Sequence, residues 1–350
     1  MKKPDTALFD LLLATTLVSL LAGLALAQPA APEASSSAPK VDLSRRDLGM
    51  RARTLAPGVW VVEGANADFS PANGCNIINT GFIATGSGVL VINTGTSRLQ
   101  GEQLRALIAR TTAEPVRRVI HLNLHPDYFL GNQGFADVPR AATATTRAGI
   151  AREAAAYEAN LYRLCGDWMA GTETLAPDET LTPPPSGTPW QPWPDTSAQA
   201  APTAPKARFE LRELQGHTAS DLVLIDRQSG VAFVGGLVFA QRVPTTPHAR
   251  LADWLRSLDE LEALGLQTVV PSHGPVHAGN AGLQATRRYL RWLDQHFARA
   301  AAQGLDMNEL LRAPVPPEFA GWAAFGTEYL RNIAHLYPAY EQAVLAAPRR

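Results

Sequence analysis

Strand-like segments in this chain arrive in two batches, and each batch is followed by helix-like ones. In the first, Val59-Trp60-Val61-Val62 reads as a short strand. Residues 75–84 and 88–93 read as a hairpin around Thr85-Gly86-Ser87-Gly88, whose glycines suit a tight reversal. A helix is expected over 98–110, with Leu104, Leu107 and Ile108 on one face, then a β-rich run at 116–121 and helical propensity over 147–170. Strands resume at 209–214, 222–226 and 231–234. The stripe Leu251, Trp254, Leu255, Leu258, Leu261 then marks a helix, followed by a strand at 268–270, and everything from Leu283 onward reads as helical. Each sheet must bury a face, and the helices carry the matching apolar stripes. Two sheet layers covered by helices satisfy that order better than one doubly wound sheet.

Residues outside this alternation set the domain limits. Lys2 and Lys3 precede an uncharged apolar run over 11–27 that ends in Ala25-Leu26-Ala27, the small-x-small pattern of a signal-peptidase site. Residues 1–27 are therefore expected to be a signal peptide and the mature protein periplasmic; an uncleaved membrane anchor is the alternative. The Ala, Pro and Ser of 28–54 read as a flexible linker. The main domain is expected over 55–281, with a proline-rich disordered insertion at 183–207 and a C-terminal helical extension at 282–350. No later run is long enough to span a bilayer, so no membrane attachment is expected after cleavage. A net charge of -1 argues against nucleic acid as a partner. Cys75 and Cys165 read either as one disulfide or as two buried thiols.

Polar residues gather directly after three expected strands, where sheet ends commonly present reactive groups. They are His121-Leu122-Asn123-Leu124-His125-Pro126-Asp127-Tyr128, Gly216-His217-Thr218 and Pro271-Ser272-His273-Gly274-Pro275. If the first strand continued, positions 121, 123, 125 and 127 would share a face. Imidazoles and a carboxylate at separate strand ends, with glycines allowing close approach, suit a metal site. Taken singly, each histidine has an ordinary reading as a turn or backbone-bonding residue; three such loops in order favour the metal.

These loops resemble, in order and spacing, the motifs of the metallo-β-lactamase superfamily, whose signature is H-x-H-x-D-H. Gly216-His217-Thr218, Phe233-Val234-Gly235-Gly236-Leu237-Val238-Phe239 and Ser272-His273-Gly274 resemble its later motifs. The resemblance implies an αβ/βα four-layer sandwich with a C-terminal helical extension. Phe129-Leu130-Gly131-Asn132-Gln133, Pro244-Thr245-Thr246-Pro247-His248 and His335-Leu336-Tyr337-Pro338 resemble, more narrowly, the exported quinoprotein relay system zinc metallohydrolases of type 1. That narrower likeness implies a small-molecule substrate such as an ester, thioester or lactone, and a periplasmic quinoprotein as partner. The family's first zinc site falls on Asn123, His125 and His217, and its second on Asp127, Tyr128 and His273. The carboxylate that bridges the two falls on Gly236, and a further family aspartate on Asn93. Asn and Tyr are poor zinc ligands beside imidazole and carboxylate. The surviving metal ligands are then His125, Asp127, His217 and His273, and one zinc is expected rather than two. Asp127 is the expected catalytic residue, orienting the attacking water, and His121 is expected to be structural. A catalytically silent binding or accessory protein of the same fold is the alternative reading, and a mononuclear iron protein a third.

Overall fold

The computed structural model describes residues 41–192 and 208–346. The expected signal peptide and residues 28–40, 193–207 and 347–350 lie outside the described residues. One sheet holds β1 (Arg53–Ala56), β2 (Val59–Val62), β3 (Thr80–Ala84), β4 (Val89–Ile92), β5 (Val116–Ile120), β6 (Arg140–Ala142) and β7 (Glu179–Thr180), ordered as in the sequence. Pairing is antiparallel through β4 and parallel from β4 to β7. The second sheet holds β8 (Pro189–Trp190), β9 (Phe209–Leu214), β10 (Asp221–Asp226), β11 (Val231–Phe239), β12 (Thr268–His273) and β13 (His277–Ala278), again in sequence order. Its one parallel pair is β11 with β12.

Period-2 alternation explains the layering. Leu90 and Ile92 of β4 face the second sheet, packing in one cluster with Leu222, Leu224 and Phe233. Val89 and Val91, one residue out of phase, pack instead on Leu104 and Ile108 of α1 (Arg98–Thr111). Val223, Val234 and Val269 likewise turn outward onto Trp254 and Leu258 of α4 (Leu251–Ala263) and Leu290 of α5 (Ala281–Ala302). The result is helix, sheet, sheet, helix, as expected. The C-terminal helices α6 (Met307–Arg312), α7 (Pro317–Ala320) and α8 (Phe325–Ala346) join this last cluster through Leu310, Phe319, Tyr329, Ile333 and Tyr337. The extension thus shares the core of the second sheet. No helix among the described residues is long and apolar enough to cross a membrane.

Several boundaries differ from the sequence reading. The fold begins before Leu55: Leu48 is fully buried, its amide bonds Oε1 of Gln103 at 2.9 Å, and β1 starts at Arg53. Part of the segment expected to be a disordered insertion is structured, because Pro189 and Trp190 pair with Glu210 and Phe209 at the sheet edge. A proline there forfeits no ladder bond the sheet needs. Strand β5 ends at Ile120, so 121–127 do not share a strand face; His125 instead precedes a one-turn helix, α2 (Pro126–Phe129). Proline at the first helical position favours that turn, since its missing N–H would be unsatisfied there anyway. Cys75 and Cys165, at the end of α3 (Ala144–Cys165), are joined in a disulfide.

Candidate functional site

The three polar loops meet at one edge of the two sheets, at the C-terminal ends of β5, β9 and β12. They line a cleft of about 330 Å³ to which His125, Asp127, Tyr128, His217 and His273 all contribute. α8 closes the opposite wall with Glu328, Arg331 and His335.

Each side chain is held by its local structure. His125 sits where α2 begins, its amide bonded to Oδ1 of Asn123 at 3.0 Å. Asn123 reaches across the cleft floor, with Nδ2 3.3 Å from Nδ1 of His217 and 3.4 Å from Oδ1 of Asp221. Asp221 is fixed in turn by the amide and hydroxyl of Thr218, at 2.8 and 3.0 Å. His217 follows Gly216, whose φ of +137° and close passage over the Trp254 backbone leave no room for a side chain. His273 donates from Nδ1 to the Ile77 carbonyl, 2.8 Å away; a backbone carbonyl can only accept, so Nδ1 carries the proton. Its Nε2 then faces Oδ2 of Asp127 at 3.4 Å. His121 is fully buried and bonds the Tyr128 carbonyl through Nδ1 at 3.0 Å, the structural role expected of it. Asn93 caps the same region, its Oδ1 accepting from the Leu122 amide at 3.0 Å.

Burial dominates the electrostatics. It pushes Asp127 up to about 6, with Arg242 pulling the other way. It holds His125 well below the ordinary histidine value, reinforced by the neighbouring His217, His248, His273 and His335. His273 is depressed by burial and then by Arg242, and His121 falls to about 4 through burial.

The four surviving candidate ligands fall into two couples. His125 and His217 stack with ring centroids 4.7 Å apart, each with a buried Nε2 that has no hydrogen-bond partner among the described residues. Asp127 and His273 form the other couple. Among the described residues, no three His, Cys, Asp or Glu side chains come together as a group able to hold a metal ion. Zinc centres use three or four protein ligands, so the residues as placed do not fit a zinc centre, and still less a two-zinc one. Gly236 shows why. A Cβ built on it would lie 1.9 Å from Nδ1 of His217, so the His217 ring fills the space that a side chain at 236 needs.

Sequence reasoning missed part of this cleft. Asp221, which steadies His217, lies just before the strand expected at 222–226 and has no role in the sequence reading. Arg242, Glu328 and His335 line the cleft and His248 packs against His125 at a centroid distance of 5.4 Å; the sequence reading assigns none of them a site role, although His248 and His335 lie in phrases singled out by resemblance, Pro244 to His248 and His335 to Pro338. An isolated charge just past a strand end and charges spaced along a distant helix carry no local signal that they converge.

Comparison with known proteins supports the architecture. The sequence model described as the metallo-beta-lactamase superfamily matches residues 73–273. No curated protein matches significantly. Among solved structures, a metallo-β-lactamase from Hirschia baltica aligns with a TM-score of 0.53 at 18% identity, covering 69% of this chain and 97% of that one. One from Pontibacter korlensis gives a TM-score of 0.53 at 20% identity, with coverages of 69% and 99%. The metallo-β-lactamase FIM-1 from Pseudomonas aeruginosa, in its mono-zinc form, gives 0.53 at 16%, with coverages of 69% and 95%. At such identities the likeness is one of fold.

Proposed function

The chain belongs to the metallo-β-lactamase superfamily, a hydrolase family whose members bind zinc, and from that premise we propose that it is a ligand-binding member that works without a resident zinc. The observation that carries this reading is the His217 ring standing in the room that a 236 side chain would need, with no three of the retained donors grouped to hold a metal ion among the described residues. The cleft itself is retained, and its mixed lining suits a compact organic molecule. His125 and His217 offer it two imidazole nitrogens, and the Asp127–His273 couple a carboxyl group. In this reading the protein is exported, and the Cys75–Cys165 disulfide is consistent with an oxidising compartment. It serves a quinoprotein alcohol-oxidation system as an accessory protein, a placement supported by the motif phrases quoted above.

The two unpartnered Nε2 atoms favour one competing reading: a single-zinc hydrolase of esters, thioesters or lactones, with Asp127 as its acid–base group. Metal content and zinc-dependent stability separate the two. Purified mature protein should carry far less than one zinc per chain, and added zinc should leave its melting temperature unchanged. A ligand that binds only the folded state must raise that temperature. One zinc per chain, lost in His217→Ala, refutes the metal-free reading.

A further inference from the structure

Arg242 and Glu328 both line the cleft, and both are only 2% exposed. Arg242 follows β11, and its Nε donates to the Ala67 carbonyl at 3.1 Å. Its Nη2 lies 3.6 Å from Oε1 of Glu328 on α8. That same Oε1 accepts from Arg331 at 2.9 Å, and Arg331 also bonds Asp68. Two guanidinium groups thus face two carboxylates, and the cluster is balanced in charge. It is not balanced in hydrogen bonds. Nη1 of Arg242 and Oε2 of Glu328 are both shielded from solvent and have no partner among the described residues. An unmade buried bond of this kind is costly, more so when the group is charged.

We infer that Arg242 and Glu328 form the polar end of a ligand subsite that reads a neutral group offering an acceptor and a donor side by side, as a primary carboxamide or a hydroxyl does. The orphan Nη1 needs an acceptor, and the orphan Oε2 needs a donor. A carboxylate supplies the first and not the second, and it brings a charge that the balanced cluster cannot neutralise. An ester supplies only an acceptor. The more apolar remainder of the cleft, including Phe69, Ile77 and Leu164, would take the ligand's hydrocarbon part. This inference deepens the ligand-binding reading above and names the chemistry that the site selects.

The test uses 3-phenylpropanamide, 3-phenylpropan-1-ol, 3-phenylpropanoate and methyl 3-phenylpropanoate as probes, titrated into the full mature protein by calorimetry near pH 8. Amide and alcohol should bind about tenfold more tightly than acid and ester, the factor one unmade buried hydrogen bond commands. In Glu328→Gln, which keeps the shape but can donate as well as accept, the preference for amide over acid should collapse. Arg242→Met should weaken all four. Acid binding as tightly as amide overturns the inference, and so does a preference unchanged in Glu328→Gln, or an absence of binding by every probe. Repeating the titration with and without added zinc keeps the two claims apart. Binding that requires zinc sinks the metal-free reading, while a preference set by Glu328 leaves the subsite standing.

Discussion

Placing an acidic side chain at 236 is the obvious way to restore the family pattern, and the geometry says it should damage the protein. The new Cβ alone would lie 1.9 Å from Nδ1 of His217. The ring cannot step aside freely, because Trp254, Phe239 and His125 hold it at centroid distances of 5.1, 5.3 and 4.7 Å. Overpacking of this sort costs about 1–3 kcal/mol. A buried carboxylate adds a desolvation term that its imidazole neighbour offsets only in part. Gly236→Asp should therefore lose about 3 kcal/mol, or roughly 6–12 °C in melting temperature for a domain of this size. Gly236→Ala, with the same Cβ and no charge, should show the steric share of about 1–3 kcal/mol by itself. Thermal melts and urea titrations of the two variants against the parent give the comparison. If Gly236→Asp is as stable as the parent, or acquires tightly held zinc, His217 moves readily and the argument from its ring is wrong.

Acid should destabilise the protein between about pH 6.5 and 4. His121 ionises near 6.5 when unfolded and at about 4 when folded, so unfolding takes up a proton across that window and the native state loses up to about 3 kcal/mol. His125 and His273 act in the same direction, whereas Asp127, raised to about 6, opposes them by keeping its proton in the folded state between its ordinary value and 6. Three groups against one set the sign, and a urea midpoint that rises as the buffer is made more acidic would contradict it. Replacing Cys75 and Cys165 together by serine should cost about 4 kcal/mol, since the bond closes a loop across a sequence separation of 90; a loss under about 1 kcal/mol would mean that the unfolded chain is already compact there.

The layering was legible because it is written in periodicity. Val89 to Ile92 alternate between two clusters, and the stripe from Leu251 to Leu261 marks the buried face of α4. The loops bearing His125, His217 and His273 were legible because each follows a strand. What could not be read was the spacing of side chains at the tips. Nothing local shows that Asn123 reaches His217 and Asp221, or that an absent side chain at 236 makes way for a ring. The edge strand at Pro189-Trp190 was hidden by prolines that argue for disorder, and the burial of Leu48 by the arginines and aspartates around it. Glu328 and Arg242 meet only through tertiary packing.

The cleft is walled by segments far apart along the chain, and Arg331 meets Asp68 across 263 positions. Its completion therefore depends on the last helix staying docked. Asn332 anchors that helix to Tyr289 and to the Pro244 carbonyl, at 2.7 and 2.8 Å. Six residues further on, Pro338 has no amide hydrogen to return to the preceding turn. The part of α8 beyond this break can thus open at little cost, while the residues that wall the cleft stay clamped. Amide exchange should divide the helix there, fast beyond Pro338 and slow before it.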